Sequence, residues 1–418
     1  MALKRVLTYL LPLALIGALF LAGCGPSGGG STSPNIDYSG TITIWHSWEG
    51  TYLAAKQAIF DAYMKMHPKV KIELVRQDNL IDKTITAVNA GSGPDIIAWV
   101  DDSLGKLAQS RIVVPLDQYI SADYVNKTYN KAAAEAVQYN GHVYGVPESV
   151  EAITIMYNKA LVSADQLPKT TGDMLAFEQK YAQDHPGGYG IVWNTEDAYF
   201  NAPWFYGFGG FFINNQDKVG LNTPGGVAAA KYIASFKPYL PVQQSYDVAS
   251  TLFSEGKAAA IINGPWSYAD YADPTKANID VGFATLPIVS SNNAPARPFV
   301  GVKSLWVTKL SKNPGLAADL LKFYTNKENQ IAMAKANGEI PGNLEADNDA
   351  AVQALPSVGG YAVQAKLGIA LPNRPSMSGV WKPVADALTA IWTGAQTPEK
   401  AMADAQQAAE QNIANLNE

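Results

Sequence analysis

Residues Ile96-Ile97-Ala98-Trp99-Val100 form an unbroken apolar run of the length of one strand, the pattern of a strand covered on both faces. What precedes it decides which kind of sheet it enters. Thr41-Ile42-Thr43-Ile44-Trp45 alternates with the two-residue period of a strand. Tyr52, Ala55, Ile59, Tyr63 and Met66 then recur at three- and four-residue spacing, one face of a helix that Pro68 ends. Val70, Ile72 and Leu74 alternate again, and Leu80, Ile81, Thr84, Ile85 and Val88 make a second helical stripe closed by Gly91-Ser92-Gly93-Pro94. Strand, helix, strand, helix, strand predicts an α/β fold whose sheet is parallel here and flanked by helices.

The pattern continues less regularly. Strands are expected at 142–146 and 152–157, separated by the proline-containing connection Val146-Pro147-Glu148, and again at 258–262, 280–285 and 304–308. Helices are expected at 316–325, 327–337, 383–393 and 398–415. Between Tyr189 and Phe212, ten of 24 residues are aromatic, too many for one amphipathic face to hide. From Ser39 onward the chain has about 380 residues, more than a single core usually organises, so two domains are expected.

The N-terminus reads as an address and a tether. Lys4 and Arg5 precede an apolar stretch ending in Leu21-Ala22-Gly23-Cys24, the layout of a signal peptide at 1–23 cut before Cys24. Cys24 is the only cysteine. Residues 24–38 are mostly Gly, Ser, Pro, Thr and Asn, the chemistry of a flexible linker. An ordinary signal peptide or a single N-terminal membrane anchor remains an alternative. No later stretch is apolar enough to span a bilayer, so the remainder is expected to be soluble.

Charge narrows the functions available. The chain carries 31 basic and 37 acidic residues, and without Lys4 and Arg5 the balance is 29 to 37. An acidic body argues against nucleic acid and against a basic membrane-binding face. The four histidines never fall at metal-ligand spacing, so no metal site is expected. Walker and dinucleotide-binding loops are absent, as is a Gly-x-Ser-x-Gly elbow, and no cofactor is expected. Acid pairs occur at Asp101-Asp102 and at Glu148 and Glu151, and two carboxylates at the right separation could hydrolyse a glycosidic bond.

A different constellation is more telling. Trp99 and Asp102 lie where the buried strand runs out, Trp266 follows Ile262-Asn263-Gly264-Pro265 in the same way, and Glu49 follows the 41–45 strand. In parallel sheets, ligands bind beyond the carboxyl ends of strands. Flat aromatic rings there suit the apolar faces of sugar rings, and carboxylates suit their hydroxyls. Core packing remains the alternative for any single tryptophan.

These residues carry a resemblance. The segment from Gly93 to Asp102 resembles the first-lobe ligand segment of the maltose/maltodextrin-binding proteins, extracellular solute-binding proteins of ATP-driven (ABC) sugar importers. Glu151 to Lys159 resembles their interlobe crossover, and Ile262-Asn263-Gly264-Pro265-Trp266 their second-lobe tryptophan loop. Pro298 to Val302 and Leu371 to Trp381 match in order and spacing, so the likeness covers the chain from Gly40 onward. The resemblance implies a two-lobed, periplasmic-binding-protein-like fold of mixed sheets with a hinge: residues 39–150 and 304–350 as the N-terminal lobe, 151–303 and 351–418 as the C-terminal lobe. It implies that Trp99 and Asp102 hold sugar from one lobe, with Glu49 after the first strand, Glu151 at the crossover, and Tyr199, Trp266 and Trp381 stacking from the other. Trp48 is an additional aromatic. Ser103 replaces a basic residue, Ile81 a hydroxyl-binding glutamate and Ala385 an arginine, for which Arg374 is the expected substitute.

The function so implied is that of a monomeric, non-enzymatic receptor for maltose or maltodextrins that delivers them to permease subunits of an ABC importer. Leu-Ala-Gly-Cys resembles a bacterial lipobox, which implies a lipid on Cys24 and a place on the outer face of the cell membrane, in a monoderm bacterium. Another solute, such as trehalose or a glycerol-phosphate ester, and a surface glycosidase using Glu148, Glu151 or Asp102 are the alternatives.

Overall fold

Strand β1 (Gly40–His46) pairs in parallel with β2 (Val70–Arg76) on one side and β3 (Ile96–Val100) on the other, with helices Gly50–Met66 and Leu80–Asn89 between them. The computed structural model that shows this describes residues 36–416. The expected leader, Cys24 and most of the linker lie outside the described residues. The next strands in the chain are β4 (Gly145–Glu151), β5 (Thr154–Asn158), β6 (Tyr189–Val192), β7 (Ala258–Asn263), β8 (Val281–Ala284), β9 (Phe299–Val307), β10 (Ile340–Pro341) and β11 (Ile369–Ala370), short two-stranded ribbons aside. They sort into two sheets. The first runs β10-β4-β9-β3-β1-β2, with β11 beside the start of β9; the second runs β8-β5-β7-β6.

Both sheets mix directions. Strands β3 and β4 each pair antiparallel with β9, and in the second sheet β5 pairs antiparallel with β7 and β8 while β6 runs parallel to β7. The chain therefore crosses from the first sheet to the second between β4 and β5, and returns between β8 and β9. Ala258, Ala259 and Ala260 of β7 are fully buried, and their small side chains let helices approach the second sheet closely.

Several expected boundaries are exact: the strand at Ile96–Val100 and the helices Lys327–Asn337 and Pro398–Asn415. Others moved for physical reasons. The connection expected at Val146-Pro147-Glu148 is the middle of β4, buried along its whole length. Proline is tolerated there because the ladder slips at that point. Lys303 faces Ser149 and Ser304 faces Pro147, which leaves Glu148 as the extra residue of a β-bulge. At the start of β4, Gly145 has no room for a side chain, since a Cβ would stand 1.9 Å from the Leu305 carbonyl oxygen.

The Gly50–Met66 helix buries Tyr52, Lys56, Ile59, Phe60 and Tyr63. Met66, expected on that face, is exposed in the last turn, and Lys56, which an amphipathic reading puts in water, is inside. Phe60 stacks on Tyr324 at 4.7 Å, and Trp48 lies over both, at 6.2 and 6.3 Å.

Candidate functional site

A cleft of about 910 Å³ opens where loops and helix starts from both sheets face each other. Trp48, Glu49, Trp99, Asp102, Glu151, Tyr199, Trp266 and Trp381 all line it. Arg374 does not. Its guanidinium donates to the Asn214 and Asn215 carbonyls at 2.7 and 3.0 Å and pairs with Asp217 at 2.8 Å, fastening two loops. Ala385 is in the lining, where the resemblance expected an arginine, so that position offers a methyl group to the cleft.

Local structure explains how the aromatic rings are presented. Trp99 is next to last in β3, opposite Ser304 of β9. Tyr199, Trp266 and Trp381 each sit in the first turn of a helix: Ala198–Gly207, Pro265–Ala272 and Trp381–Thr393. The first of these is capped by Asp197, whose side chain accepts from the Phe200 N–H. The second starts with Pro265 at its first position, where a missing N–H costs nothing. Gly264 precedes it, and the Trp266 ring folds so closely over Gly264 that a Cβ would lie 2.1 Å from it. Tyr199 and Trp266 tilt toward each other at 6.2 Å, and Trp381 meets Phe299 edge-on at 5.8 Å.

Trp48 contributes least. It is 4% exposed and packed against His46 and Phe60, so little of its surface reaches the cleft. Glu49 is exposed and paired with Arg76, which also lines the cleft.

The acid pair Asp101-Asp102 divides its work. Asp101 is buried and accepts from the Val302 N–H at 2.8 Å, tying the end of β3 to β9; burial pushes its carboxyl well above the usual range. Asp102 faces the cleft and accepts from Trp381 Nε1 at 2.9 Å and Ser103 Oγ at 3.2 Å. Burial pushes Asp102 up to about 6 against the pull of these bonds. Ser103, in the place of an expected basic residue, thus serves as a neutral donor to Asp102.

Behind the cleft lies a charged cluster that periodicity did not reveal. Lys56 is wholly buried, 2.7 Å from Glu148 Oε1 and 3.4 Å from Glu339 Oε2, with its ammonium 4.0 Å from the centre of the Tyr52 ring. Glu148 is where the bulge puts it, and its other oxygen accepts from the Tyr324 hydroxyl at 2.7 Å. Burial pushes the Lys56 ammonium down, but Glu148 and Glu339 outweigh it and the result is upward. Glu151 is 3% exposed and lies 3.3 Å from the Lys303 ammonium. It also accepts from the Tyr52 hydroxyl at 3.3 Å. Burial raises the Glu151 carboxyl, and Lys303 opposes the rise. Lys303, Tyr52, Asp270 and Tyr246 line the cleft as well, which no local pattern reveals: a lysine in a strand or helix reads as a solvated position until the fold is known.

Comparison with known proteins gives this cleft its setting. The family model for bacterial extracellular solute-binding proteins matches residues 58–360. A maltotriose-binding protein of Pyrococcus abyssi is 31% identical over 358 residues, covering 84% of this chain and 78% of its own length. A galactooligosaccharide-binding protein of Bacillus subtilis is 28% identical over 411 residues, covering 95% of this chain and 94% of its own. Among solved structures, the maltose/maltodextrin-binding domain MalE of Bdellovibrio bacteriovorus bound to maltotriose superposes with a TM-score of 0.84 at 26% identity, covering 90% of this chain and all of that one. The Thermus thermophilus maltotriose binding protein bound with maltotriose gives 0.81 at 26% identity, covering 89% and 100%. The two-lobed α/β fold implied by the resemblance is therefore the fold of this chain. The chain belongs to the bacterial extracellular solute-binding protein family, and its likeness to the maltose/maltodextrin-binding proteins, first visible in five short segments, extends through the whole fold.

Proposed function

We propose that this protein is a lipid-anchored receptor that closes its two lobes on a maltodextrin-type α-glucoside and delivers it to the permease subunits of an ATP-driven importer. The observation that carries the reading is the lining of one cleft by Trp99, Tyr199, Trp266 and Trp381 together with the carboxylates of Asp102 and Glu151. Rings of that kind cover the apolar faces of successive glucose units, and carboxylates accept from their hydroxyls. In this reading residues 39–150 and 304–350 form one lobe and 151–303 and 351–418 the other. Lobe closure brings both sets of contacts to bear at once and excludes water. A lipid on Cys24 would keep the receptor beside its importer. The protein does no chemistry of its own: Glu151 and Glu148 are engaged by Lys303 and Lys56, an arrangement that suits holding hydroxyls.

Calorimetry with maltose, maltotriose, trehalose and galactooligosaccharides tests the reading, with chromatography of the sugar afterwards. Heat is expected with maltotriose, and the trisaccharide should be recovered uncut. Absence of heat with all four sinks the proposal, and heat with galactooligosaccharide alone moves the specificity to that class, which the Bacillus subtilis relative makes the second reading.

Affinity should also depend on pH. A sugar hydroxyl donating to Asp102 favours its charged form, so ligand lowers a carboxyl pKa that stands at about 6 in the free protein. Binding is then fully developed above that value and is lost as pH falls through it, by up to about tenfold per pH unit for one linked proton. Asp102→Asn should flatten this profile between pH 5 and 7. An unchanged slope in that variant would take Asp102 out of the ligand's reach.

A further inference from the structure

Lys303 has surroundings that make it more than a counter-charge for Glu151. Its ammonium stands 4.6 Å from the centre of the Tyr52 ring and 5.3 Å from that of Trp266, so aromatic faces guide it on two sides. Its polar contacts are both long: 3.3 Å to Glu151 Oε1 and 3.5 Å to the Tyr52 hydroxyl. An ammonium has three N–H groups to place, and charge-assisted bonds are normally shorter than these. Its side chain is 17% exposed, and that surface is in the cleft.

The group cannot easily retreat to better partners. The Tyr52 hydroxyl is shared with Glu148 and Glu151 at 3.4 and 3.3 Å, and the deeper carboxylates Glu148 and Glu339 are taken by Lys56. Glu151 is held in place by Ser149 Oγ at 3.4 Å. An under-bonded donor and a buried acceptor thus stand side by side on the cleft wall, next to an indole face.

We infer that Lys303 is a specificity-determining residue: with Glu151 it reads two adjacent hydroxyls of the pyranose that packs on Trp266, the carboxylate accepting from one and the ammonium donating to the other. The inference rests on the sugar-binding reading above and goes further by naming the feature read, a vicinal diol on a neutral ring. A ring that lacks one of these hydroxyls leaves a buried charged group without its partner, which a polar site rejects far more strongly than a missing methylene. An anionic ring gains little, because Glu151 already balances the ammonium.

The test is calorimetry with maltotriose from pH 6 to 9 on the wild type, Lys303→Met and Lys303→Arg, each in buffers of different ionisation enthalpy. Lys303→Met should bind roughly tenfold to a hundredfold more weakly, while Lys303→Arg keeps the charge and recovers to within about fivefold. Above pH 7, where Asp102 is already ionised, the methionine variant should also exchange a proton on binding that the wild type does not. Removing the ammonium lets Glu151 rise toward neutrality, and Tyr52, Lys56, Glu148, Glu339 and Tyr199, which face it, are unchanged. A residue of merely structural importance would move stability without moving this proton count. Lys303→Met binding within about twofold of the wild type with no new proton linkage overturns the inference and leaves the sugar reading standing. No heat from the wild type with any oligosaccharide removes both.

Discussion

Lys56→Met should lower the free energy of unfolding at pH 7.5 by about 3–5 kcal/mol, the usual cost of removing one partner from a buried ion pair. Methionine fills much of the same space, so the loss is electrostatic: Glu148 and Glu339 remain inside with no cation against them. The pH dependence identifies the cause. In the wild type Glu339 is already raised, first by burial and then against the pull of Lys56. Without Lys56 the Glu339 carboxyl loses the cation that holds it down and rises further in the folded state. A carboxyl raised in the folded state binds its proton more tightly there than in the unfolded chain, so the variant's deficit is largest at neutral and alkaline pH and narrows as pH falls through the raised value. Because Glu148 and Glu339 both push Lys56 upward, the wild type keeps the ammonium's contribution throughout pH 5–9. Urea unfolding of both proteins at pH 5.5, 7.5 and 9 measures this, and Lys56→Met/Glu339→Gln should recover part of the loss at pH 7.5. A deficit that does not change with pH would mean the lysine matters only for its packing.

Trp266→Ala is expected to produce the largest loss of affinity among the aromatic positions, about 2–3 kcal/mol or roughly 30- to 150-fold. Its ring is held over Gly264, tilted against Tyr199 and close to the Lys303 ammonium, so it is prearranged before any ligand arrives and little ordering is left to oppose binding. Maltotriose calorimetry supplies the number, with the thermal midpoint of each protein as control. Trp266 is only half-buried, and its removal should leave stability nearly untouched. Affinity retained in the alanine variant would turn Trp266 into an ordinary packing residue.

What the sequence made legible follows from which forces act locally. The run at 96–100 and the helices at 327–337 and 398–415 are set by periodicity and by breakers close in sequence, and they appear in the structure residue for residue. Strand β4 was hidden because Pro147 reads as a break, and only the partner strand β9, far away in the chain, supplies the slipped register that accommodates it. Lys56 and Lys303 were hidden for the same reason. Their burial is made acceptable by glutamates at 148, 151 and 339, and no local pattern says that these will meet. Trp99 and Trp266 were legible because each stands at the end of an element with its own sequence signal, the end of a buried strand for Trp99 and a Gly-Pro helix start for Trp266, whereas Tyr199 and Trp381 were implied only by the family resemblance. Arg374 shows the limit of inferring from nearness in sequence. It stands within seven residues of Trp381, yet its three partners are on the loop at 214–217.

The position of β9 has a consequence for how the chain acquires its structure. In the first sheet β9 lies between β3 and β4, pairing Trp306 with both Ile97 and Gly145. Until residue 307 has left the ribosome, β3 lacks its antiparallel neighbour and β4 has no tie to the rest of the sheet. The first sheet therefore stays incomplete through the first 300 residues, although all four strands of the second have been made by then, and its long-range pairing with β9 is of the kind that slows folding.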